Sequence, residues 1–143
     1  MSESAHKVSY FEILTCTWHD APPLKEGRFS HRSISVGDRI YQLGGYTNYG
    51  SIESLKVGKG HTWKIIHEPT GLTCRSDAAV VVLKDHIIAV FGGVRDGDRL
   101  NDGFLFDTEK KSVDPILDES DDLKFKCTMP VWQVSGQNFI TVG

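Results

Sequence analysis

Arg75 to Gly93 reads RSDAAVVVLKDHIIAVFGG, and its pattern decides the fold: an arginine, an apolar run, a charged turn, a second apolar run and two glycines. Arg28 to Gly45, RFSHRSISVGDRIYQLGG, follows the same order, and Gly44 and Gly92 stand 48 positions apart (92 − 44). TMPVWQVSGQNFITVG, ending at Gly143, carries the pattern a third time, 51 positions on (143 − 92), with a single glycine. A period near fifty indicates one supersecondary unit used repeatedly. Short runs rich in β-branched and aromatic residues, separated by glycine and charged turns, read as strands.

Each diglycine is followed by a polar loop, a strand, a short turn and a last strand. After Gly45 these are YTNYG, SIESLKV, GKGH and TWKIIHE; after Gly93 they are VRDGDR, LNDGFLFD, TEKK and SVDPIL. The N-terminal region supplies only the second half of a unit, VSYFEI and TWHDA. Trp18 and Trp63 occupy matching places, and Val113 stands where the next tryptophan is due. Four short strands per unit at this period describe a β-propeller blade. VVVL and IIAVF are continuous apolar runs, expected where neighbouring blades cover both faces of a strand.

Together, the arginine-led strand, the diglycines Gly44-Gly45 and Gly92-Gly93, LNDGFLFD with Asp107, and the tryptophan on the last strand resemble the Kelch repeat. The resemblance runs from about residue 8 to 143. It departs from the pattern at Val113, at the lone Gly143, and at Lys126 and Cys127, where the third arginine is due. The fold expected is an all-β partial β-propeller of four-stranded antiparallel Kelch blades. Its parts are a half blade over 8–22 with strands three and four, blades over 28–68 and 75–117, and a half blade over 126–143 with strands one and two. Glycine pairs admit positive φ and close approach of backbone, with the rings of Trp18 and Trp63 expected to pack over them.

Three blade equivalents are too few for a closed ring, which typically needs at least four. The chain therefore reads as a fragment or truncated form of a longer Kelch protein. A homodimer completing a six-bladed ring and an open arc with exposed edges are the other arrangements.

The chain has 143 residues, 16 Lys plus Arg against 19 Asp plus Glu, and a formal net charge of −3. Without concentrated positive charge, neither nucleic acid nor a membrane surface is expected as partner. Nothing approaches the ~20 apolar residues of a membrane span, and Glu3, His6, Lys7 and Glu12 interrupt what a signal peptide would keep apolar. Cys16, Cys74 and Cys127 are sparse and odd in number, which fits reduced thiols in a cytoplasmic or nuclear setting. Cys74 and Cys127 each precede an innermost strand, where they read as inert small residues rather than sensors. DESDD, over 118–122, reads as a solvated connector.

No catalytic constellation is present, so no enzyme, cofactor or metal is expected. His19, His31, His61, His67 and His86 lack metal-ligand spacing, and Asp96, Asp98 and Asp102 lack the glutamate that closes a calcium loop. The resemblance implies a protein-protein interaction module binding a protein or peptide partner through its loops. Its family uses include substrate recognition for a cullin-type ubiquitin ligase and binding of actin or other cytoskeletal scaffolds, with propeller-fold enzymes a further class. The stretch EGRFSHRSISVGDRIYQLGGY resembles Kelch proteins of the type without a BTB region. Carried over by position, Tyr46, Asn48, Tyr49, Arg95 and Arg99 follow the diglycines, and Ser30, His31, Ser76 and Asp77 open the innermost strands. Arginine would pair with carboxylate and tyrosine would supply stiff contact area. Arg28 and Arg75 belong to the repeat itself and read as structural.

Overall fold

The computed structural model describes residues 3–46, 50–116, 131–135 and 138–141. A 3-10 turn, Glu3–His6, precedes the hairpin β1 (Val8–Glu12) and β2 (Thr17–Ala21). Then come β3 (Arg32–Val36), β4 (Arg39–Leu43), β5 (Ile52–Lys56) and β6 (Lys64–His67), which form one antiparallel sheet in chain order. The second sheet contains β7 (Ala79–Lys84), β8 (Ile87–Phe91), β11 (Gly103–Asp107) and β12 (Ser112–Ile116), again in chain order. β9 (Val94–Arg95) and β10 (Asp98–Arg99) make a small hairpin between β8 and β11, and β13 (Val131–Ser135) pairs with β14 (Asn138–Thr141).

Local chemistry accounts for the turns. Val36 pairs with Arg39, leaving a two-residue loop with Gly37 at φ +58°, the conformation a tight hairpin asks of its first central residue. In the outer hairpin of the second sheet, Asp107 ends β11 and its Oδ1 accepts the Glu109 and Lys110 N–H groups at 2.9 Å each. VRDGDR is read above as a polar loop; it folds instead into β9 and β10. Asp96 at φ +53° and Gly97 at φ +90° supply the Asp-Gly turn that closes it.

The two-residue period of the strands sorts the apolar runs onto two faces. Ile88 and Val90 join Tyr41, Leu43, Ile52, Phe104 and Phe106 in a core between the two sheets. Ala89 and Phe91 join Ala79 and Val81 on the opposite face. Phe106 is fully buried and meets Tyr41 edge-on at 6.2 Å across the sheets. Each such ring contributes roughly 1.5–3 kcal/mol through burial. β3 lies beside β7, and β7 beside β13, so the first strands of successive units are neighbours. Among the described residues the two four-stranded antiparallel sheets are blades side by side that do not close into a ring.

The expectation that Trp18 packs over a diglycine is corrected. Trp63 is 1% exposed, but Trp18 is 71% exposed, with its ring 5.2 Å from that of Phe11. β1 and β2 form a two-stranded sheet of their own, so among the described residues no diglycine-bearing strand pairs with the strand that carries Trp18. Ile13 and Leu14, at the tip of this hairpin, are exposed as well. Cys127 and the DESDD run lie outside the described residues. No helix among the described residues is long and apolar enough to cross a membrane.

Candidate functional site

The loops after the diglycines and the connectors leading into the first strands meet at one end of the sheets. In the first blade Tyr46 N–H donates to Phe29 O at 2.7 Å; in the second, Ser76 and Val94 exchange backbone hydrogen bonds at 2.9 Å. The blades are then tied to each other. Gly45 N–H donates to Arg75 O at 2.8 Å, Asp77 N–H to Ser30 O at 2.9 Å, and Arg32 Nε to Ala78 O at 2.8 Å. Ser30 and Asp77 hold φ of +55° and +54°, the same left-handed step 47 residues apart (77 − 30).

The repeat arginines are buried beneath this rim. Arg28 Nη1 donates to Gly44 O at 3.1 Å and Ser51 O at 2.8 Å; Arg75 Nη1 donates to Gly92 O at 2.9 Å and Asp102 O at 3.2 Å. Each guanidinium thus joins the end of the second strand to the start of the third. Their surroundings differ beyond that. Arg28 Nη2 donates to Ser51 Oγ at 2.8 Å and meets Glu53 Oε1 at 2.7 Å, with both ionic side chains fully buried. Glu53 also accepts the Lys25 and Glu26 N–H groups at 2.8 and 3.1 Å, holding the connector onto the blade. Phe104 pairs with Val90 as Glu53 pairs with Gln42, so it occupies the place of Glu53 in the second blade. Its ring lies 5.4 Å from Arg75 Cζ, a cation–π contact in place of an ion pair.

Among the sequence-derived residues, Tyr46 is 64% exposed and stacks on Phe29 at 5.5 Å, an exposed aromatic pair on the rim of the first blade. Arg99 is exposed on β10, while Arg95 is half-buried and its Nη1 donates to Gly71 O. Ser30 is exposed, Ser76 is buried in its backbone bridge, and Asp77 is half-buried, 3.9 Å from Arg32. Asn48 and Tyr49 lie outside the described residues. Cys74 is half-buried close against the backbone of Gly50. Among the described residues no three His, Cys, Asp or Glu side chains gather where they could hold a metal. Phe29, Arg32 and Glu53 escaped the sequence reading. Arg32 carried a signal, since it opens the strand that follows the repeat arginine.

His31 is half-buried, and its buried Nδ1 has no hydrogen-bond partner among the described residues. Burial, reinforced by Arg28 and Arg32 and opposed by Glu53, pulls its pKa below the ordinary 6.5. The unfolded chain therefore binds more protons as pH falls from about 6.5 toward the folded value, and stability declines over that interval. His31→Gln is expected to flatten this slope, which thermal midpoints at about pH 7.5 and about pH 5.5 would report. An unchanged slope would contradict it.

A cleft of about 630 Å³ opens between the blades, walled by His67, Thr70, Leu72, Arg95, Asp102 and Val113. It adjoins the rim at Arg95.

Sheets of four short antiparallel strands, pinned by a buried arginine to a diglycine and set side by side by their first strands, are Kelch-type propeller blades; the chain belongs to the Kelch-repeat family. It is similar to Kelch domain-containing protein 3 of Homo sapiens, with 32% identity over 137 residues, covering 90% of this chain and 35% of that protein. The Mus musculus protein of the same name is 33% identical over 139 residues, covering 91% of this chain and 36% of its own length. The chain thus spans about a third of the length of these relatives. No protein-family model matches it.

Proposed function

We propose that this chain is the interaction-bearing part of a longer propeller, using its loop rim to bind a short acidic and apolar segment of a protein partner. The observation that carries the reading is the rim itself. Asp77 N–H to Ser30 O locks the two connectors together, setting the stacked Phe29 and Tyr46 of one blade alongside the loops that carry Arg95 and Arg99 on the next. Stiff aromatic area beside guanidinium groups is the composition of a binding hot spot, and arginine prefers carboxylate. A small patch of this kind suits a peptide-sized segment better than a broad filament surface. Of the uses the family resemblance implies, we therefore favour substrate recognition for a ubiquitin ligase over scaffold binding.

Arg95→Ala and Tyr46→Ala are each expected to weaken binding to an acidic, aromatic peptide selected from an array by about tenfold. Folding stability should change by no more than roughly 1 kcal/mol, because Tyr46 is exposed and Arg95 gives up one hydrogen bond, to Gly71 O. Titration calorimetry and thermal unfolding of the same samples check this. Equal losses of binding and folding, or binding indifferent to exchange of the peptide's acids for lysine, would defeat the reading.

A further inference from the structure

Aligning the two blades strand by strand isolates a charge reversal at the end opposite the rim. β4 runs from Arg39 toward the rim and β5 runs from the rim to Lys56, so both residues lie a strand length away from it, roughly 15 Å. They face each other directly across the two strands. In the second blade the matching pair is Ile87 and Asp107. β6 adds Lys64, opposite Ser54, where β12 carries Asp114 opposite Leu105. Three cations thus stand where the second blade has an isoleucine and two aspartates.

The fold gains nothing from the exchange. Like charges directly opposite each other on a sheet are destabilising. Asp107 caps its own turn by accepting the Glu109 and Lys110 N–H groups, and lysine, a donor only, cannot replace it there. Strand alternation sets Arg39, Lys56 and Lys64 on one face of three adjacent strands, and Arg39 Nη1 reaches Ser54 Oγ at 3.5 Å between them. The turn that follows Lys56 covers seven residues (57–63) against four in the second blade (108–111), and it carries Lys59 and the exposed Val57. Lys56, Lys59 and Lys64 are exposed, and Arg39 is half-buried. Among the described residues Lys56 meets Asp38 at 3.4 Å, and no ion pair reaches Arg39, Lys59 or Lys64. With Asp38 counted, the corner holds +3 (4 − 1) on a chain of net charge −3.

We propose that this corner of the first blade is a second docking surface, which holds an acidic stretch of a protein partner while the rim stays free for its own ligand. The cations are spread over three strands and a turn, matching carboxylates spaced along a chain rather than a single phosphate. Four of them fall short of the concentrated charge that nucleic acid or an anionic membrane needs. Val57 adds apolar contact within the charged rim of the surface. The assignment does not depend on what the loop rim binds.

The test titrates the whole chain with a short oligoglutamate peptide blocked at both ends, following backbone amides by NMR. The expected result is a saturable shift centred on Gly58, Lys59 and Gly60 that weakens as sodium chloride is raised. Arg39→Ile with Lys64→Asp gives the first blade the residues of the second. It should weaken binding about tenfold, the worth of two ion pairs near a surface, without lowering the thermal midpoint. Lys59→Glu changes only the exposed turn and should weaken binding as well, so the proposal stays testable if the paired variant fails to fold. Absence of a saturable shift, a shift centred on Tyr46 and Asp77, or full binding by the variants would overturn the surface. Tighter binding of phosphatidylserine vesicles or duplex DNA than of oligoglutamate would overturn the protein-partner assignment. So would a dimer, seen by light scattering, that Lys59→Glu dissociates, because the occupant would then be a second copy of the chain.

Discussion

Replacing Gly44 with alanine is expected to cost about 3 kcal/mol or more, enough to unfold a marginally stable chain at room temperature. Gly44 holds φ +65°, and a Cβ there would lie 2.2 Å from the Arg75 carbonyl oxygen. That oxygen already accepts the Gly45 N–H, so it cannot retreat without breaking the link between the blades. Gly37 provides the control: its φ is +58°, yet nothing lies within 4 Å of an added Cβ. Gly37→Ala should therefore cost only the left-handed penalty, roughly 1 kcal/mol. Urea unfolding of the two variants separates steric exclusion between blades from backbone strain alone. Similar midpoints for both would contradict the close approach.

Glu53→Gln is the second large effect, at about 3–5 kcal/mol, the range for breaking one partner of a buried ion pair. The neutral amide leaves the Arg28 charge poorly compensated. It also sets an NH₂ group against donors, because Glu53 accepts from Arg28 Nη2 and from the Lys25 and Glu26 amides. Arg28→Met alone should be comparably damaging, since it strands the carboxylate. The double variant Arg28→Met with Glu53→Met should lose less than the sum of the two, because no unpaired charge is left behind. Chemical unfolding of all four proteins measures the coupling, and strict additivity would show that the pair is not a unit.

What the sequence revealed, and what it hid, follows from how far apart interacting residues lie. VVVLKDHIIAVFGG declares two strands, a turn and a tight finish within fourteen positions, because period, turn chemistry and glycine are local signals. Glu53 gave no such sign. In SIESLKV it looks like the solvent-facing member of an alternating strand, and its burial depends on an arginine 25 positions earlier (53 − 28). Phe29 and Tyr46 likewise become a stacked pair only when the connector and the post-diglycine loop adjoin. The Arg75 site could be suspected only by aligning the repeats strand by strand, which sets Phe104 against Glu53. The β9–β10 hairpin was hidden differently: two strands of two residues are too short for periodicity, and only Asp96-Gly97 hinted at a turn. Trp18 misled because the motif assumes a complete blade around it, whereas among the described residues β1 and β2 pair only with each other.

Amide hydrogen exchange at Gly45 and Asp77 reads out whether the repeats pack as neighbouring blades joined at their first strands. Their N–H groups donate across the blade boundary, to Arg75 O and Ser30 O. If the blades are joined there, both amides exchange as slowly as those of β8, through the same cooperative opening. Exchange of Gly45 and Asp77 at the rate of open loops, with β8 still protected, would mean that the blades fold separately and are not joined at their first strands.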